Sequence, residues 1–490
     1  MDIYRTQMYR LFKEDLYMRK RVIMIFAGFT AAVSMIGTGF FVSGQLTSVY
    51  AAPWDEQEII SETEYGFPGA FDEAAADNTC ISFSEGTTVI EDTMMKCHQE
   101  TAIENSEDSV LILNRSYVTD SVLPMMTMDT GKSFILNSTV QSTSGGAVFA
   151  GLAVPAEEDA APLAVYAYGS MIDAANNSNG IYTELLSSAY VYGSHVIGAD
   201  AGIESNTYGS IIIGSTKDAE ENEALQTVLS EHPGPVIESG ADTKSIVESN
   251  RNAIVITSTN DPDFAELDGF SESILAQTAA RVTIRNSEIR TVKPASRSAR
   301  WQQEETEYMK HTKGSVILVK STNADISVEN CTIEAYKNGN ILQTVLGDDD
   351  PEYLMLVSDG EEVPGIHVSF AAMELNGNIV HEDYQRDLNL ELSAVTWNGA
   401  ANEYDVQHWN QVAEEEEFED LCVDDSYETH HGISISLQDG SVWNVTEESV
   451  LSRLTVGEGC TVNGVITVDG ETAAAQEGEF TGNILVSPAE

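Results

Sequence analysis

The chain has 490 residues and carries 24 Lys and Arg against 79 Asp and Glu, a formal net charge of −55. So little cationic surface argues against nucleic acid as a partner and against unaided capture of polyanionic glycans. It suits solubility, multivalent cations or a basic partner.

Residues 1–51 read as a targeting segment. A basic stretch ends in Arg19-Lys20-Arg21, Val22 to Val42 carries no charge, and Val49 and Ala51 supply the small residues of a cleavage site. The segment is a signal peptide or, if uncleaved, a signal anchor whose residues 22–42 could span a bilayer. Either reading predicts an extracytoplasmic body, secreted or held at the cell surface. Residues 52–105, with Pro53, Pro68 and the acidic stretch Asp72 to Asp77, are expected to form an N-terminal cap. Cys80 and Cys97 lie close enough to bridge in an exported protein. With five cysteines and no CxxC, neither a disulfide framework nor a zinc knuckle is indicated. Cys331 reads as a core residue.

From about 106 to 470 the chain repeats. Tyr168-Gly169-Ser170 recurs as Tyr192-Gly193-Ser194 and as Tyr208-Gly209-Ser210. Gly180-Ile181 returns as Gly202-Ile203, and Asn376-Gly377 as Asn398-Gly399. The run Val282 to Ile289 is echoed by Ile326 to Ile333, each with an Asn after a strand. Stacked Asn side chains at such a turn can hydrogen-bond from coil to coil. Leu388, Leu390 and Leu392 with Trp397 match Ile433, Ile435 and Leu437 with Trp443. Short β-prone runs separated by small turn residues predict an all-β solenoid, a right-handed parallel β-helix. Asn-Gly pairs are also hairpin signals and leave an antiparallel sandwich as the competing fold. Insertions are expected near 217–248, 348–364 and 400–431, the first of them helical, and residues 471–490 read as a C-terminal tail.

The closing stretch Ser441-Val442-Trp443-Asn444-Val445-Thr446-Glu447-Glu448-Ser449-Val450-Leu451, followed by Leu454, carries a family likeness. From about Val110 to Gly470 the chain resembles right-handed parallel β-helix proteins of the pectin-lyase-like class. Its last coils resemble surface adhesins and autotransporter passengers. The resemblance implies an exported, extended surface for contact with cells, glycans or matrix, with polysaccharide lyases and hydrolases as the enzymatic members of the class.

Candidate chemistry is sparse. Glycoside hydrolysis needs two carboxylates flanking the bond, and Asp424 and Asp425 with His431 are the one stretch of that kind. Asp348, Asp349 and Asp350, with Glu415 and Glu416, supply oxygens for calcium, although no calcium-loop motif is present. No other cofactor is indicated. Trp301 lies beside a small basic island and is a possible ligand contact. Tyr166 and Tyr168 share strand parity, as do Tyr190 and Tyr192. If they face outward they form an aromatic stripe suited to sugar rings; otherwise they pack coil on coil. The function expected is a binding or adhesion scaffold for glycans or cell-surface ligands. The alternatives are a carbohydrate-active lyase or hydrolase and a self-associating surface component.

Overall fold

The computed structural model describes residues 79–151, 163–174, 178–184, 187–206, 209–235, 240–257, 279–292, 314–320, 322–336, 339–345, 365–383, 386–403, 432–473 and 477–489. The chain divides into Met1–Ile59 and Ile60–Glu490, and every described residue belongs to the second unit. The expected targeting segment therefore lies outside the described residues. No helix among them is long and apolar enough to cross a membrane.

Strands recur in threes, and over most of the stack a strand pairs in parallel with the strand three places later. The first face is an eleven-stranded sheet running from Thr79–Phe83 to Ala401–Glu403. The second face begins with Thr87–Glu91 and continues through Val110–Asn114, Lys132–Leu136, Ala164–Tyr168 and Ser188–Tyr192. The third face is an eight-stranded sheet from Met94–Lys96 to Thr332–Glu334. A further ladder, Glu374–Asn376, Thr396–Gly399, Val442–Val445 and Thr461–Val468, follows in the same place in the coil order. Stacked strands in long parallel sheets are the arrangement of a β-helix, and the antiparallel sandwich is set aside.

The sequence echoes are coil neighbours. Ile181 opposes Ile203, Asn376 opposes Asn398, and Val282 opposes Ile326. Leu390 opposes Ile435, and Trp397 opposes Trp443. One echo has a different origin. Tyr168 opposes Tyr192, but Ser210 opens a second-face strand and opposes Ser188. The third Tyr-Gly-Ser therefore falls at the opposite end of its strand and is a coincidence of composition.

The Gly and Ser of the motif have separate duties. The corner after the second face is one residue in the left-handed region: Asp92 at φ 50°, Arg115 at 46°, Asn137 at 48°, Gly169 at 57°, Gly193 at 56°, Asn286 at 47°, Asn330 at 51°, Ala372 at 53° and Ala394 at 53°. Gly and Asn tolerate that conformation best. A Cβ at Gly193 would also come within 2.3 Å of Thr216 Cγ2. After Asn137, Gly169 and Gly193 the next residue is a buried serine whose hydroxyl accepts from the backbone N–H one coil below. Ser138 Oγ takes the N–H of Ser116 at 3.0 Å, Ser170 that of Ser138 at 3.0 Å and Ser194 that of Ser170 at 3.1 Å. These hydroxyls satisfy donors that the corner removes from the strand ladders.

Inward positions alternate along each strand and form one continuous core of Ile, Val, Leu and Ala. Towards the C-terminal end the core carries Trp397 stacked on Trp443, ring centroids 4.7 Å apart. Each indole N–H donates to a backbone carbonyl, that of Gly377 or Gly399. Burial on this scale is the main source of stability.

Both ends differ in detail from expectation. Pairing already starts at Thr79, inside the segment expected as a cap. The disulfide Cys80–Cys97 ties that first strand to the end of the first coil. At the other end Gly478–Pro488, expected as a tail, is a strand. It pairs antiparallel with both Ser449–Val456 and Thr461–Val468. The change of direction gives the last coils paired edges.

The disulfide closes a loop of sequence separation 17, for which chain-entropy reasoning gives about 3 kcal/mol. A Cys80→Ser/Cys97→Ser variant should lose that stability in urea unfolding, with the loss beginning in the first coil by hydrogen exchange.

Candidate functional site

Outward positions fall into columns that run from coil to coil, and their chemistry changes along the stack. On the second face one column reads Ile112, Phe134, Tyr166, Tyr190, Ile212. The rings of Phe134 and Tyr166 lie 4.4 Å apart and those of Tyr166 and Tyr190 4.7 Å apart, nearly parallel. The neighbouring column holds Leu136, Tyr168 and Tyr192.

This stripe does face away from the coil interior, and the inserted segment roofs it. Asp218–Glu221 is one short helical turn, and Glu223–Glu231 is an α-helix capped by the Asn222 side chain on the N–H of Leu225. Its Leu225 and Leu229 enter a second apolar cluster with Phe134, Tyr166, Tyr168 and Tyr192. Tyr166 is 6%, Tyr168 4% and Tyr192 5% exposed; Tyr190 is half-buried. Of the two alternatives for these tyrosines, a stripe open to sugar rings or packing coil on coil, they show the second, beneath a helix. Burial, with Tyr190 and Tyr192 adding to it, pushes the Tyr166 hydroxyl up to about 12.

The roof is pinned at both ends. Asn286 Nδ2 donates to Asp218 at 2.9 Å, and Asn330 Nδ2 donates to Asn286 at 2.7 Å. The Asn echo of the sequence is thus a hydrogen-bonded stack. At the far end Arg115 donates to the Pro233 carbonyl at 3.0 Å and grips Asp92 with two bonds of 2.7 Å. That guanidinium holds the Asp92 carboxyl below its usual range against the opposing effect of burial.

The third face carries a charged cluster. His195 Nε2 lies 3.4 Å from Glu248. Arg290 meets the other Glu248 oxygen through Nε at 2.8 Å and Nη2 at 2.7 Å. Burial raises the Glu248 pKa, but hydrogen bonds and charge from His195 and Arg290 outweigh it and leave the carboxyl below its usual value. A chain of side chains precedes the cluster on the same face. Tyr117 donates to Gln141 at 2.6 Å, and Gln141 donates to Asp173 at 3.1 Å. Sequence reading missed this set because its members are scattered; only their common strand parity and coil order bring them together.

A second buried pair lies where the chain leaves the first face. Arg386 meets Asp383 at 2.7 Å and Asn323 at 3.1 Å, with the ion pair almost fully buried. Beside it Gln343 donates to Glu382 at 2.9 Å. Losing one partner of such a pair strands a charge, so the set locks this corner.

The remaining candidates from sequence lie outside the described residues: Asp424, Asp425, His431, Trp301, Asp348, Asp349, Asp350, Glu415 and Glu416. Their attachment points are informative. Residues 152–162, 258–278, 346–364 and 404–431 follow the strands Val148–Gly151, Asn252–Thr257, Leu342–Val345 and Ala401–Glu403. All four strands belong to the first face. The acidic candidates thus leave the coil at one recurring corner, whereas Trp301 is in the connection 293–313, which returns from the third face to the first. Among the described residues no group of His, Cys, Asp and Glu has a metal-holding arrangement. Cys331 is buried, and burial pushes its thiol up to about 11.

No protein-family model matches the chain, and no characterised protein matches it in sequence.

Because the folded-state pKa of Glu248 is lowered, its stabilising contribution is complete above the ordinary glutamate range and is lost as pH falls through the depressed value. Glu248→Gln should therefore cost about 1–3 kcal/mol at neutral pH. The gap to the parent should close on acidification, as followed by urea unfolding across pH.

Proposed function

We propose that this chain is an exported parallel β-helix, right-handed and of the pectin-lyase-like, adhesin type, that serves as a binding scaffold for glycans or cell-surface ligands. Right-handedness follows from the strong bias of strand–crossover–strand connections between parallel strands. Export rests on the basic, apolar and small-residue order of residues 1–51.

The observation that carries the binding reading is repetition along an outward row. Asn376, Asn398, Asn444 and Asn463 form one outward row. Each later amide donates to the one before it, at 2.8, 2.6 and 2.6 Å. Beside them stand Glu374, Thr396, Val442 and Thr461. Equal polar groups at coil spacing offer many weak, equally spaced contacts, which suits a repetitive ligand. The insertions that leave the first-face corner would set specificity, as loops on a rigid scaffold do.

One observation favours the enzymatic alternative, a polysaccharide lyase or hydrolase. His195, Glu248 and Arg290 place a carboxylate between two basic groups on neighbouring coils. A single assay separates the two. The full chain is incubated with plant and host polysaccharides, with and without calcium, and new reducing ends and unsaturated products are followed. The binding reading predicts retention on an immobilised glycan without turnover; turnover abolished by Glu248→Gln would replace it with the enzyme.

A further inference from the structure

The second face changes character where the roof ends. Beyond Ile212 the aromatic column continues as Thr283, Ser327, Ser369, Glu391, Ser436 and Thr455. None of these side chains is buried. Small hydroxyls thus line the middle of the face over most coils, with the exposed Glu391 carboxylate, itself an acceptor for sugar hydroxyls, between Ser369 and Ser436. Over the first coils larger groups flank it, Asp325 and His367 on one side and Glu329 on the other; further along, the flanks are Asn389, Ser434 and Arg453 on one side and Ala371, Ser393 and Gln438 on the other, so the walls become lower. The arrangement is a shallow trough along the stack axis, with a floor that repeats once per coil, about every 4.8 Å.

Its charge differs from that of the molecule. The chain carries 79 acidic and 24 basic residues, yet on these strands Arg281, Arg285 and Arg453 balance Asp325, Glu329 and Glu391. The balance is local and partly internal: Arg285 lies 3.8 Å from Glu329. A floor of hydroxyls in a charge-neutral strip neither attracts nor repels ions. It suits a ligand that is itself neutral and rich in hydroxyls.

We propose that this trough on the second face, from Thr283 to Thr455, binds a linear neutral β-linked glycan lying along the stack axis. This rests on the glycan-binding reading above and names its site and ligand class. An extended β-linked glycan advances by nearly the coil spacing per sugar, so successive sugars meet equivalent hydroxyls. At the roofed end the same column reaches Ile212 and the half-buried Tyr190. Both pack against the roofed apolar cluster, so the helix closes the strip at that end. A polyanionic glycan would be repelled by the rest of the molecule, and nothing in the strip offers an unpaired strand edge to a peptide.

The test uses the full chain in calorimetric titrations with cello-, xylo-, manno- and chito-hexaose, and with oligogalacturonate and a basic peptide for comparison. Ser327→Gln/Ser369→Gln fills the floor of the trough without adding charge. Thr332→Asn alters an exposed position on the third face and serves as the control, and thermal melts confirm that all variants fold. The expected result is binding of at least one neutral hexaose, little changed by salt, and at least ten-fold weaker in the Gln variant but not in the Thr332 variant. Equal binding by the Gln variant overturns the site while leaving the glycan-binding reading in place. Preference for oligogalacturonate or for the peptide overturns the ligand class. Binding of no glycan overturns both readings.

Discussion

Everything in this molecule depends on parallel pairing of each strand with its equivalent one coil away. That pairing satisfies the backbone of one strand only through the next, so a single coil has no stability of its own. It also puts every side chain directly against its counterpart from the neighbouring coil. A residue is therefore selected less by its sequence neighbours than by a column of residues about one coil apart. Inward columns must be apolar and of matched size, which gives the continuous Ile, Val and Leu core. Outward columns are free to vary, and they carry the chemistry.

The corners show what this constraint asks of the sequence. Turning off the second face in one residue requires a left-handed backbone, supplied by Gly169, Gly193, Asn137, Asn286 and Asn330 and, with a larger conformational cost, by Asp92, Arg115, Ala372 and Ala394. The turn would orphan a donor, and the serine that follows receives it. At Asn286 and Asn330 the side chain instead joins a stack that ends on Asp218 and so fastens the inserted helix. Local turn chemistry and the anchoring of an insertion are one device. The helix in turn decides which outward column is buried: the aromatic stripe is withdrawn from solvent, while the hydroxyl-rich positions beyond it are exposed or half-exposed.

The fold was legible because columns leave identical residues at fixed intervals. Trp397 and Trp443, Asn376 and Asn398, and the echo of Val282 to Ile289 in Ile326 to Ile333 each mark one coil on the next. The method failed at Tyr208-Gly209-Ser210, where residue identity matched and strand position did not. The tyrosine stripe was visible from strand parity. Its roof was not, because Leu225, Val228 and Leu229 form too short an amphipathic face to reveal what it covers. The cluster of His195, Glu248 and Arg290 was invisible for a related reason. The insertion after Thr216 separates its first two members and breaks the repeat that would have aligned them. A site built across coils is written in register, and register is readable only where the repeat is uninterrupted.

The central claim is that outward side chains one coil apart are direct neighbours, so that ligand-facing rows are set by register. Cysteine cross-linking tests it most directly on the exposed Asn row. Asn398→Cys/Asn444→Cys places two thiols at opposed positions of adjacent parallel strands, within the Cα separation of roughly 4.4–6.8 Å that a disulfide spans. Asn376→Cys/Asn444→Cys places them two coils apart, roughly twice the 4.8 Å strand spacing. The account predicts rapid, near-complete bridging of the first pair on mild oxidation and none of the second, read by peptide mass spectrometry. Bridging of the second pair, or failure of the first in a folded variant, would contradict it.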